Sequence, residues 1–156
     1  MWLFIISTLS AHTPSTKKWA QNISLGYQYR TLVPEEKFTI PHCSVLQYGG
    51  IFTLSDNEYL NAIIEPRVSI VGLNQSVLQP AASMILGFQF GESLTIGSGP
   101  LISTRDDQEN TFFPQILMEI SFLLHIDKSI IPIKLGYVPT SHGLTQYQLL
   151  LGYTWN

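Results

Sequence analysis

The chain has a single cysteine, Cys43, in 156 residues. No intramolecular disulfide and no thiolate metal cluster can be built from it. Charge is scarce as well: 12% of residues are Asp, Glu, Lys or Arg, about half the share of an ordinary soluble protein. The eight Lys and Arg are scattered and the net charge is −3, which excludes the clustered basic surface that nucleic acid requires. No run of about 18 apolar residues occurs, so a spanning helix is excluded. Helical spacing of apolar residues is almost absent too. A chain so poor in charge is either kept soluble by something else or does not live in water.

What is present is period-two alternation. In the terminal stretch YQLLLGYTWN, Tyr147, Leu149, Leu151, Tyr153 and Trp155 share one face, opposite Gln148, Leu150, Gly152, Thr154 and Asn156. QNISLGYQYR sets Ile23, Leu25, Tyr27 and Tyr29 against Asn22, Ser24, Gly26, Gln28 and Arg30, and SMILGFQF and ILMEISFLLHI repeat the pattern. Such segments have the length of membrane-spanning strands, about 9 to 11 residues. Turn signals divide the chain into eight strands near 19–31, 38–54, 58–72, 80–91, 93–103, 112–127, 130–138 and 144–155. The second is interrupted by Pro41, Gly49 and Gly50.

The connections alternate. SDN, GES and KS are tight, whereas TLVPEEK, LNQSVLQ, STRDDQEN and PTSHG are longer. This predicts an all-β fold, an antiparallel up-and-down β-barrel of about eight strands, with tight turns on a periplasmic rim and longer loops outside. At this length there is room for one such domain, over 19–156. Residues 1–18, MWLFIISTLSAHTPSTKK, are expected to be an atypical or truncated export signal or a plain N-terminal segment. Candidate hairpin registers pair Asp127 with Ile130, Val138 with Leu144 and Phe90 with Leu94, each keeping one continuous apolar face.

Alternation leaves open whether the apolar face points inward, around an apolar ligand, or outward into lipid. The polar face is the better guide. It carries Arg30, Glu65, Arg67, Gln89, Glu119, Lys134 and Gln148 among Gly, Ser and Thr, whereas a soluble barrel's exterior is rich in Lys and Glu. These seven are the expected lumen polar network, the charged ones turned inward and paired because a charge on the lipid face costs about 2 to 4 kcal/mol. Tyr27, Tyr29, Tyr137, Tyr153 and Trp155 fall near strand ends on the apolar face, where amphipathic rings serve at a membrane interface.

The last strand resembles the C-terminal sorting signal of bacterial outer-membrane barrel proteins: alternating hydrophobic residues with a Gly-Tyr-x-aromatic finish, matched by Leu149, Leu151, Gly152, Tyr153 and Trp155. Asn156 follows the aromatic that family members place last. In strand count and length the chain resembles the small eight-stranded members. The resemblance implies location in the bacterial outer membrane and the lipid bilayer as partner, with the outer loops free for envelope or extracellular partners.

Candidates for chemistry are weaker. Ser141 and His142 lie in PTSHG, but their spacing does not match the small-barrel lipid A deacylases, and a polar hairpin tip is the better reading. His42, His125 and Cys43 have no tight ligand spacing, and His125 is expected as a hydrogen-bonded interior residue. Arg105, Asp106, Asp107 and Glu109 read as an exposed acidic loop. The expectation is therefore a non-enzymatic outer-membrane barrel without cofactor or metal. The rivals are a soluble barrel holding an apolar ligand, though Trp19 lacks the Gly-x-Trp signature of lipocalins, and an outer-membrane lipid hydrolase.

Overall fold

Every regular element among the described residues is a strand, and each is followed by a neighbour running the opposite way. The computed structural model describes residues 19–31, 41–55, 57–75, 78–104, 112–127, 129–139 and 145–155. The strands are β1 (Trp19–Arg30), β2 (His42–Thr53), β3 (Leu60–Val71), β4 (Gln79–Phe90), β5 (Leu94–Thr104), β6 (Phe112–Ile126), β7 (Ser129–Val138) and β8 (Gln146–Trp155). They pair in sequence order, and β8 pairs with β1 to close the barrel. Closure leaves no unpaired sheet edge.

The register fixes the barrel's shape. Starting from Phe52 and stepping from partner to partner gives Ile64, Leu86, Ser98, Met118, Tyr137, Tyr147, Tyr29 and finally His42, ten residues along β2 from the start. Eight strands with that stagger tilt by about 40° and close at a radius of about 8 Å, a bore that side chains alone can fill.

Two of the tight turns owe their geometry to backbone conformation. Gly91 takes a φ of 54° where β4 turns into β5, and Asp127 takes a φ of 53° between β6 and β7, a left-handed conformation that Gly and Asp adopt at low cost. The remaining tight connection, 54–59, is longer than the three residues the sequence suggests. Its backbone is held by side chains: Ser55 Oγ accepts from Ala62 N at 2.7 Å, and Asn61 Oδ1 from Asn57 N at 2.8 Å.

The Phe90–Leu94 register and the facing of Phe88 on Ile96 are as the sequence indicates. The other two hairpins differ by two residues. Asp127 is itself in the turn, so the β6–β7 ladder closes at Ile126 and Ser129 and sets Phe122 against Ile133; Val138 meets Gln146, setting Leu135 against Leu149. An even shift preserves every facing, so the continuous apolar face survives. β2 begins after Pro41 and runs straight through Gly49 and Gly50. There the Trp19 ring, 4.1 Å from Phe52 by centroids, lies where a side chain on Gly50 would be.

Prolines interrupt three ladders. Partners are missing at Gly50–Pro66 and Ile51–Glu65 between β2 and β3, at Met84–Pro100 and Ile85–Gly99 between β4 and β5, and at Ile131–Tyr153 and Pro132–Gly152 between β7 and β8. In each case the proline has no N–H to give across the seam. The other five ladders run unbroken.

Candidate functional site

The two faces of the wall are opposite in character. Outward lie large apolar side chains, among them Leu25, Val68, Leu86, Phe88, Ile116, Ile120, Leu149 and Leu151, each at least 42% exposed. Inward, the described residues include Glu65, Arg67, Glu119 and Lys134, each no more than 5% exposed. The apolar face is thus the exterior, and charged and polar side chains occupy the centre of the bore.

The four charged residues meet at the centre of the bore. Arg67 on β3 forks onto Glu119 on β6, Nη1 donating to Oε2 at 2.5 Å and Nη2 to Oε1 at 2.7 Å, and Nη2 also donates to Glu65 Oε2 at 2.5 Å. Lys134 on β7 reaches across to Glu65 on β3, Nζ to Oε1 at 2.7 Å. The uncharged neighbours take up most of what is left. Asn22 Nδ2 donates to Glu65 Oε1 at 2.6 Å, Ser121 Oγ to Glu119 Oε1 at 2.8 Å, and Lys134 Nζ lies 3.4 Å from both Asn22 Oδ1 and Gln47 Oε1. Two carboxylates and two cations sum to zero charge. Buried ions are tolerated only when paired and hydrogen-bonded in this way. Ser24 Oγ, Thr154 Oγ1 and Arg67 Nε are buried without a protein partner.

Arg30 and Gln148 belong to a second group, nearer the long-loop end. Gln28 lies between the amides of Gln146 and Gln148, each 2.9 Å away, and Arg30 is within 2.7 Å of the Gln28 amide. Arg30 Nη2 also donates to Gln79 Oε1 at 2.6 Å. Apolar layers fill other parts of the bore: Cys43, Val45, Val71 and Leu150 in one cluster, and Ile85, Leu101, Leu117 and Val138 in another. Gln89 faces the lumen beside the tight turn at the end of β4 and joins neither polar group, its strand position being too near that rim. His125 is a correction. It has the inward parity of Ser121, but it sits one residue from the end of β6 and is exposed.

Asn22, Gln28 and Ser121, which the sequence reading places on the polar face without assigning them to the network, complete these networks together with Gln47, Gln79 and Gln146, which it does not single out. Their strand parity places them inward; Gln47 was obscured by the glycines that follow it. The aromatic residues form two outer groups. Tyr137, Tyr147, Tyr29 and His42 stand in a row on four adjacent strands, with centroids 5.5, 6.5 and 5.2 Å apart, and Tyr27 is 62% exposed beside them. At the other end Tyr153 stacks on Trp155 at 5.9 Å and its hydroxyl meets Ser129 Oγ at 3.2 Å. Residues 1–18, the acidic stretch 105–110, and Ser141 with His142 lie outside the described residues. Among the described residues no three His, Cys, Asp or Glu side chains converge as a metal site.

No family model matches the chain, and no curated protein matches it in sequence. Solved structures do share its fold. A de novo designed transmembrane β-barrel superposes with a TM-score of 0.53 at 11% identity, over 87% of this chain and 95% of the design. Ail, the attachment invasion locus protein of Yersinia pestis, superposes with a TM-score of 0.53 at 14% identity, over 88% of this chain and 99% of Ail. At these identities the likeness is one of fold: a closed, antiparallel, eight-stranded barrel.

Proposed function

We propose that this chain is a non-enzymatic outer-membrane β-barrel protein of a bacterium, its apolar belt set in lipid, its lumen plugged, and its long connections offered to envelope or extracellular partners. The observation that carries this reading is the inverted sidedness of the wall. Charges are buried at the centre and large hydrophobic side chains stand exposed all round, an arrangement that is costly in water and favourable in a bilayer. The closed barrel also satisfies the rule that backbone groups in lipid must be paired within the protein.

The belt has the right height. Tyr147 and Trp155 lie eight residues apart on β8, about 26 Å along the strand and about 20 Å along the axis at the tilt given above, close to the apolar band of about 25 Å on such barrels. Tyr27, Tyr29, Tyr137, Tyr153 and Trp155 then sit at the two interfaces, where ring and hydroxyl each find a favourable medium. Support for the outer membrane in particular comes from the form of the final strand and from the fold shared with Ail. The polar network of Glu65, Arg67, Glu119 and Lys134 acts as filling rather than as a channel lining.

The test is refolding of the purified chain with and without detergent micelles, followed by gel electrophoresis before and after boiling. The expected result is a faster unboiled band that forms only with detergent. A monodisperse folded protein in plain buffer would overturn the reading.

A further inference from the structure

The three proline-interrupted seams do not fall at random. They cut the wall into panels whose internal ladders are unbroken: β8–β1–β2, β3–β4 and β5–β6–β7. At each seam one backbone carbonyl, that of Gly50, Met84 or Gly152, faces a proline ring where the ladder would supply a donor. The wall alone therefore holds its panels less firmly to one another than it holds the strands within each.

The central cluster spans all three panels. Arg67 on the second panel holds Glu119 on the third, Asn22 on the first holds Glu65 on the second, and Lys134 on the third holds Glu65 and approaches Asn22. Among the described residues, the Arg67–Glu119 and Lys134–Glu65 pairs across the bore both cross a seam. The pair within β3, Arg67 with Glu65, ties these crossings together.

We propose that the cluster is a keystone: it clamps three separately laddered panels, and the wall parts along its proline seams when the clamp is released. The opening is lateral, between strands, rather than axial through the filled bore. This is independent of the medium around the belt, because it depends only on the ladders and the bonds across the lumen.

Amide hydrogen exchange, read peptide by peptide in whichever medium the chain folds, tests it. In the unaltered protein, amides flanking the seams, at 83–87 with 97–101 and at 130–133 with 151–154, are expected to exchange at least about tenfold faster than those of the unbroken β1–β8 and β3–β4 ladders. Lys134→Met, which removes the third panel's hold on the first through the lumen, is expected to speed exchange at the β7–β8 seam by about a further tenfold while the β1–β8 ladder changes little. Pro100→Ala supplies the missing N–H without touching the cluster and is expected to slow exchange around Met84. Exchange that is uniform round the barrel, or that is fastest at β1–β8, would overturn the proposal. If Lys134→Met does not fold, Pro100→Ala decides alone: no added protection at the β4–β5 seam rejects it.

Discussion

Replacement of Leu151 by arginine puts the sidedness of the wall to a quantitative test. Leu151 faces outward on β8 at 58% exposure, between Leu25 and Ile133 on the flanking strands. It lies four residues from both Tyr147 and Trp155, about 10 Å in height from each aromatic group, so it marks the middle of the belt. An arginine there cannot reach either rim easily. Its cost at the bilayer midplane is about 2 to 4 kcal/mol, a factor of about 30 to 900 in the folding equilibrium. With a urea slope of about 2 kcal/mol per molar, the unfolding midpoint falls by about 1 to 2 M. The assay is urea titration of the barrel folded into lipid vesicles, scored by the fraction of the fast unboiled band, with Leu151→Ala as the control that shortens the side chain without adding charge. In water the same arginine replaces an exposed leucine and costs almost nothing. A midpoint for Leu151→Arg equal to or above that of Leu151→Ala would refute the assignment of this face to lipid.

Three other outcomes are expected. Arg67→Met leaves Glu65 and Glu119 facing each other without their shared cation, and about 3 to 5 kcal/mol of stability is lost; the double variant with Glu119→Gln recovers part of it, a coupling that a double-mutant cycle reads directly. In planar bilayers the protein is expected to conduct no ions, and Lys134→Met paired with Glu65→Gln to conduct none either, because the buried cluster of Ile85, Leu101, Leu117 and Val138 still occupies the bore; single-channel currents in that pair would contradict a lumen filled by more than its charged residues. Gly97→Val is expected to cost at least about 1 to 3 kcal/mol by denaturant titration, since a Cβ at Gly97 would lie 2.6 Å from Ile85 Cγ2 and 2.9 Å from the Leu86 carbonyl, and overpacking is penalised.

The strands were legible because alternation is a local property. Each outward row, such as Met84, Leu86, Phe88 and Phe90, is set by the pleat alone, and the bounds of most strands fall within two residues of the turn signals. Register was less legible because it depends on where the turn reverses. Asp127 in a left-handed conformation moves the β6–β7 pairing by two, and nothing in the alternation reports that. The same limit governs the lumen. Parity says that Glu65, Arg67, Glu119 and Lys134 face inward, but which of them meet depends on the stagger between strands distant in sequence. Thus Asn22, Gln47 and Ser121 join the charged centre, while Gln89, of equal polarity and parity, stands apart. Near the rims parity loses its meaning, as at His125, where an inward-pointing side chain is already in the open.

The ten-residue stagger has a consequence for the row of Tyr137, Tyr147, Tyr29 and His42. A row of partners is not a level ring but a thread that climbs the cylinder by about 25 Å in one circuit, or about 3 Å for each strand crossed. Over its three steps this row rises by about 9 Å, more than the thickness of one headgroup zone. With the belt set in lipid as proposed, Tyr137 would be the deepest member, nearest the hydrocarbon, and the His42 imidazole the shallowest, nearest bulk water. On that reading the four neighbouring rings would sample successive levels of one interface, and a quencher placed at graded depths in the lipid would meet them in the order of their strands.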